Sequence, residues 1–104
     1  EYRFTKKDWA LFREKVDDWQ EAYMDKLNKE YIELLTGDGR PSEKFWALEE
    51  RIRNDKKDTG VQLRMSHSNF IYNIVSLMNE GAITMENLEE FSDELKERVR
   101  FIAK

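Results

Sequence analysis

Between residues 9 and 34 an apolar side chain recurs every three or four positions: Trp9, Phe12, Val16, Trp19, Tyr23, Leu27, Tyr31 and Leu34. That step keeps all eight on one face of an α-helix. No Gly or Pro interrupts the run before Gly37 and Gly39 in "TGDGRP", where a helix can end. A helix over about 6–35 is roughly 45 Å long at 1.5 Å per residue. That is long for a chain of 104 residues. The rest of the molecule must therefore pack around one rod, and part of the rod is expected to overhang its own core.

The entrance to that helix is written in "FTKKDW", residues 4–9. Thr5 can cap the first turn with its hydroxyl, Asp8 stands where a capping-box acid belongs, and Phe4 and Trp9 hold the two places of a hydrophobic staple. "ITMENL", residues 83–88, repeats the spacing. The repeat marks a second helix start and no duplicated functional motif. Between the two, Pro41 and Ser42 open a helix whose apolar residues are Phe45, Trp46, Leu48 and Ile52, with Ser42 the expected cap. It fades in "RNDKKDTG", with Gly60 as the stop. "VQLRM", residues 61–65, alternates apolar and polar but has no partner strand, and reads as an extended connection or an early helical turn. A third helix is expected after Ser66, carrying Phe70, Ile71, Ile74, Val75, Leu77 and Met78. Leu88, Phe91, Leu95, Val99 and Ile102 continue at helical steps to the end.

These starts and stops predict an all-α fold: a four-helix bundle in a single domain, residues 1–104, with helices at about 6–35, 43–57, 67–80 and 85–102. Short connections at 37–41 and 81–83 make the helices they join antiparallel neighbours; the link over 56–65 is longer and looser. Composition agrees. Four Gly and one Pro are too few for the many tight turns of an all-β chain, and an aromatic share of 12% is more than a disordered, highly charged chain carries.

Several functions are disfavoured by what is missing. There is no Cys, so disulfides and thiolate metal sites are impossible. No run of about 18 apolar residues occurs, so no membrane-spanning helix is expected. The first residues are charged and amphipathic, unlike a signal peptide, and a start at Glu1 leaves room for a few residues ahead of it. His67 is the single histidine and sits in "SHSN", with no His-Glu-x-x-His and no Glu-x-x-His to build a zinc or di-iron site; it reads as an exposed first-turn residue. Glu86, Glu89, Glu90, Asp93, Glu94 and Glu97 lie off the Leu88–Phe91–Leu95 face and read as a solvated surface. The first three suit the positive end of a helix dipole, as Arg98, Arg100 and Lys104 suit the negative end. Neither the Gly-x-Ser-x-Gly elbow nor a phosphate-binding glycine loop is present. Small helical enzymes of the chorismate mutase type need converging cations, whereas Lys and Arg here fall on polar faces. The chain is thus expected to be no enzyme and to hold no metal or cofactor.

Two binding functions remain. Trp9, Phe12, Val16 and Trp19 make one aromatic face on the front half of the long helix. They are either core or a seam for a helical partner, with the 9–16–23 and 12–19 steps matching a heptad. The seam reading makes the protein a non-enzymatic interaction or regulatory protein, a homodimer or the ligand of another helix. The rival is nucleic-acid binding through Arg51, Arg53, Lys56 and Lys57. Residues 40–64 hold seven basic and five acidic side chains, while the whole chain carries −4. Against it, a recognition helix beginning "MENLEEFSDE" would repel phosphate.

Over "ITMENLEEFSDELKERVRFI" and "KLNKEYIELL" the chain resembles short, uncharacterised all-helical proteins of Gram-positive bacteria. The resemblance implies a bacterial cytoplasmic setting and brings no activity with it.

Overall fold

The computed structural model describes residues 4–103, and over them the protein is all-helical. It contains α1 (Lys6–Thr36), α2 (Pro41–Asp55), α3 (Phe70–Asn79), a 3-10 turn (Met85–Leu88) and α4 (Asp93–Ala103). Residues 1–3 and Lys104 lie outside the described part. No described helix is long and apolar enough to cross a membrane.

The entrance of α1 is built as its sequence requires. Thr5 accepts from the Asp8 amide at 3.0 Å, and Asp8 accepts from the Thr5 amide at 2.9 Å. The staple closes on a third ring: Phe4 and Trp9 both stand edge-on to Phe70, at 4.6 and 5.3 Å. From there Phe12, Val16 and Trp19 of α1 enter a core with Phe70, Ile71, Ile74, Val75 and Leu77 of α3, Ile83, Leu88 and Phe91 of the following segment, and Leu95 and Val99 of α4. This core occupies one end of the molecule.

The overhang lies at the other end. Beyond Leu27, α1 has no buried side chain, and α2 has none at all. The four apolar faces therefore do not converge on one centre, and it is the C-terminal half of α1 that projects, together with α2. The principal extents are 53 × 26 × 22 Å and the radius of gyration is 16.4 Å, against about 13 Å for a compact chain of this length.

Three boundaries differ from the sequence reading, each for a local reason. α2 begins at Pro41, whose fixed φ suits the first turn, and the Glu43 carboxylate accepts from the Arg40 amide at 3.1 Å; Ser42 is inside the helix and does not cap it. α3 begins at Phe70, so His67 lies in a turn ahead of the helix. The last helix is broken. Thr84 starts only a 3-10 turn, its amide donating to the Asn87 side chain at 2.7 Å. The chain restarts at Ser92, whose hydroxyl accepts from the Leu95 amide at 3.2 Å. In an unbroken helix the Ser92 amide would donate to the carbonyl of residue 88; here it donates to Asp8 of α1 at 2.8 Å.

The connection between α2 and α3 is also tighter than expected. Tyr23 donates its hydroxyl to Asp58 at 2.6 Å, Gln20 donates to the Thr59 carbonyl at 2.9 Å, and Glu80 accepts from the Thr59 and Gly60 amides at 2.8 and 2.9 Å. Gly60 is needed for close approach and stops no helix, since α2 has already ended at Asp55. A Cβ there would lie 2.3 Å from the Tyr23 ring. Residues 62–66 form an irregular connection.

Candidate interaction face

The α1–α2 hairpin is held together mainly by polar groups. Arg51 reaches Glu30 at 2.7 Å and Asp55 at 3.4 Å, and its guanidinium stands 5.4 Å from the Tyr31 ring centre. Tyr31 donates to Asp55 at 2.6 Å. Burial, then the Asp55 bond and charge, push the Tyr31 phenol up to about 12; the same two causes, with Asp58 as partner, push Tyr23 up as well. Tyr23 reaches Asp58, just past the end of α2, whereas Glu30 and Tyr31, later in α1, reach Arg51 and Asp55, earlier in the chain, so the two helices are antiparallel.

Lys44, Ala47, Leu48, Arg51 and Asp55 are the half-covered residues along α2 and mark the line that faces α1. At 100° per residue, Phe45 and Ile52 lie about a quarter-turn round from that line. On α1 the line toward α2 runs through Leu27, Tyr31 and Leu34, and Leu35 lies about a quarter-turn from it, with Ile32 further round. For antiparallel helices both offsets turn to the same side. Phe45, Ile52, Leu35 and Ile32 thus share one face of the hairpin, while the Glu30–Arg51 pair closes the opposite edge. All four are exposed. Trp46 stands against Phe45, edge to face at 5.0 Å, and both are 63% exposed. Glu49, Ile52, Arg53 and Lys56 line a shallow depression beside them.

An apolar patch of this kind differs from the single exposed residues every protein carries. Tyr72 and Phe101 at the core end are exposed too, and Phe101 has Arg98 over its ring at 5.9 Å.

The residues expected to form the interface lie elsewhere. Phe12, Val16 and Trp19 are 0%, 1% and 9% exposed, and Trp9 is half-covered, edge-on to Phe70 and to His67. The seam expected for a partner helix is taken up by the chain's own α3 and α4. Their heptad spacing is equally what an intramolecular seam requires, so spacing could not separate the two. A four-helix bundle would bury Phe45 and Trp46 along with the other apolar residues of α2, yet both are exposed. One signal was present against that: Trp46, Phe45, Ile52 and Leu48 spread over nearly half the circumference of α2, wider than one neighbouring helix covers.

The four basic residues of the rival reading do not form one cationic surface. Arg51 is turned onto Glu30 and Asp55, and Arg53 is paired with Glu49, whose carboxyl it holds below the usual value. Lys56 and Lys57 are exposed just past the end of α2. His67 is exposed and edge-on to Phe4 and Trp9, with the Ser66 and Ser68 hydroxyls 3.0 Å apart beside it. Among the described residues no group of three or more His, Asp or Glu is placed to hold a metal ion.

No protein-family model matches the chain, and neither the comparison with curated proteins nor that with solved structures returned a match.

Proposed function

We propose that the chain is a non-enzymatic helical interaction protein that self-associates through the outer face of the α1–α2 hairpin, with Phe45, Trp46 and Ile52 of α2 and Ile32 and Leu35 of α1 as contact residues. The observation that carries this is α2 itself: it has no buried residue, yet displays a Phe and a Trp in mutual contact. Helices this short are marginal without tertiary packing. A second helix laid on the face would cover apolar surface worth about 25 cal/mol per Å². Aromatic residues of this type are the usual centres of binding energy. A cytoplasmic setting is part of the proposal, supported by an acidic composition without Cys.

Light scattering over a range of concentrations tests it. The wild type is expected to rise above its monomer mass of 12.6 kDa, and Phe45→Ser/Ile52→Ser to stay at that mass with unchanged helicity. A wild type that remains monomeric throughout, or a double variant that associates as well as the wild type, would remove the proposal. Salt-sensitive retention on DNA, lost on reversing Lys56 and Lys57, would move the weight to nucleic acid.

A further inference from the structure

The exposed charges of α2 are segregated along its length. Glu43, Glu49 and Glu50 occupy the first two-thirds, beside a half-covered Lys44, while Arg53, Lys56 and Lys57 occupy the C-terminal end and the turn after it. The helix dipole explains charges in the first and last turns only; Glu49 and Glu50 lie in between. The apolar residues of the same face, Phe45 with Trp46 and then Ile52, are spaced about equally on either side of Glu49.

We propose that the occupant of this face is a second copy of the chain, docked with its α2 antiparallel to the first about a twofold axis near Glu49. Each Phe45–Trp46 pair then meets the partner copy's C-terminal half of α2, with Trp46 opposite Ile52. The acidic stretch of one helix lies beside the basic stretch of the other, twice over, as an isologous contact demands. A parallel arrangement would set the whole acidic stretch against its own copy and the basic stretch against its own, and would align two helix dipoles, all unfavourable; the antiparallel one leaves only Glu49, at the axis, facing its copy. The Glu49–Arg53 ion pair within each helix is exposed and therefore weak, so exchanging it for one across the interface costs little. This inference rests on the self-association proposed above and adds the orientation.

The absence of Cys from the chain makes the orientation directly measurable. Three exposed α2 positions are changed one at a time in the full chain: Ser42→Cys, Glu49→Cys and Lys56→Cys. Under mild oxidation Glu49→Cys should form a disulfide-linked dimer with itself. Ser42→Cys and Lys56→Cys should each remain largely uncrosslinked alone and crosslink when mixed. Self-crosslinking of all three would mean parallel helices and overturn the antiparallel arrangement. If light scattering shows a dimer while none of the three crosslinks, alone or mixed, the α2 geometry is wrong although self-association stands. A protein that is monomeric by light scattering removes both. Circular dichroism of each variant, expected to match the wild type, guards against loss of fold.

Discussion

The Asp8 carboxylate receives both the backbone amide of Ser92, at 2.8 Å, and its hydroxyl, at 2.5 Å, across 84 residues of sequence. The same carboxylate caps its own helix through Thr5, and at 1% exposure it is the single buried charged group among the described residues. One side chain therefore joins the starts of α1 and α4. Removing it takes the acceptor from three partly buried donors, the Thr5 and Ser92 amides and the Ser92 hydroxyl, which costs more than the net value of the bonds where water does not replace it. Asp8→Ala is expected to lower stability by about 2–4 kcal/mol and Ser92→Ala by about 1–2 kcal/mol through its cap and this bond. In urea unfolding the double variant should lose less than the two single losses added together, by about 1–3 kcal/mol. Strict additivity would mean the two residues act separately.

Gly60→Ala is expected to destabilise. Its Cβ would fall 2.3 Å from one Tyr23 ring carbon and 2.7 Å from another, and that ring is held by the Asp58 bond. Overpacking of this kind costs about 1–3 kcal/mol. Thermal unfolding of Gly60→Ala, Tyr23→Ala and the pair checks it: with the ring gone, the added methyl should cost little.

Alkaline pH should loosen the hairpin before the core. Folded Tyr31 holds its proton more tightly than an unfolded tyrosine, whose pKa is about 10. Its contribution is therefore complete below about pH 10 and is lost as pH rises through about 12. Tyr23 is shifted in the same direction. Absorbance of ionised tyrosine should show Tyr23 and Tyr31 titrating late, and Tyr31→Phe should remove one of the two late steps. The absence of any late step would contradict the Asp55 and Asp58 contacts.

Two tryptophans separate core from surface. Trp19→Asp places a charge in the packed end and should unfold the protein, since a buried unpaired charge is among the costliest substitutions. Trp46→Asp should leave thermal stability of the monomer within about 0.5 kcal/mol of wild type while weakening association. Similar losses of helicity from both would mean that α2 is more deeply packed than its exposure indicates.

Much of the fold was legible because it rests on local signals. The 3.6-residue period of α1, the Thr5–Asp8 box and the glycine at the end of α3 act within a few residues. Gly81, at a φ of 81°, ends that helix with the Ala82 amide on the Leu77 carbonyl, at 2.8 Å. The break in the last helix was not legible. "ITMENLEEFSDE" keeps its apolar spacing through Leu88, Phe91 and Leu95, and what diverts the Ser92 amide is a carboxylate 84 residues away. The tight 58–60 connection escaped for the same reason: its partners Gln20, Tyr23 and Glu80 are distant in sequence. The interaction face was misplaced because an amphipathic stripe shows that a face is covered and not by what. On α1 the cover is α3 and α4; on the outer face of α2 none of the described residues supplies it.

Hydrogen exchange resolved by segment, measured in dilute and in concentrated protein, tests that asymmetry most directly. A helix without buried side chains opens easily on its own, so α2 amides should exchange fast when dilute and slow as concentration rises, while α3 and α4 remain protected and unchanged. Equal protection of α2 and α3 in the dilute sample, or a concentration effect confined to α3 and α4, would contradict an open hairpin face waiting for its partner.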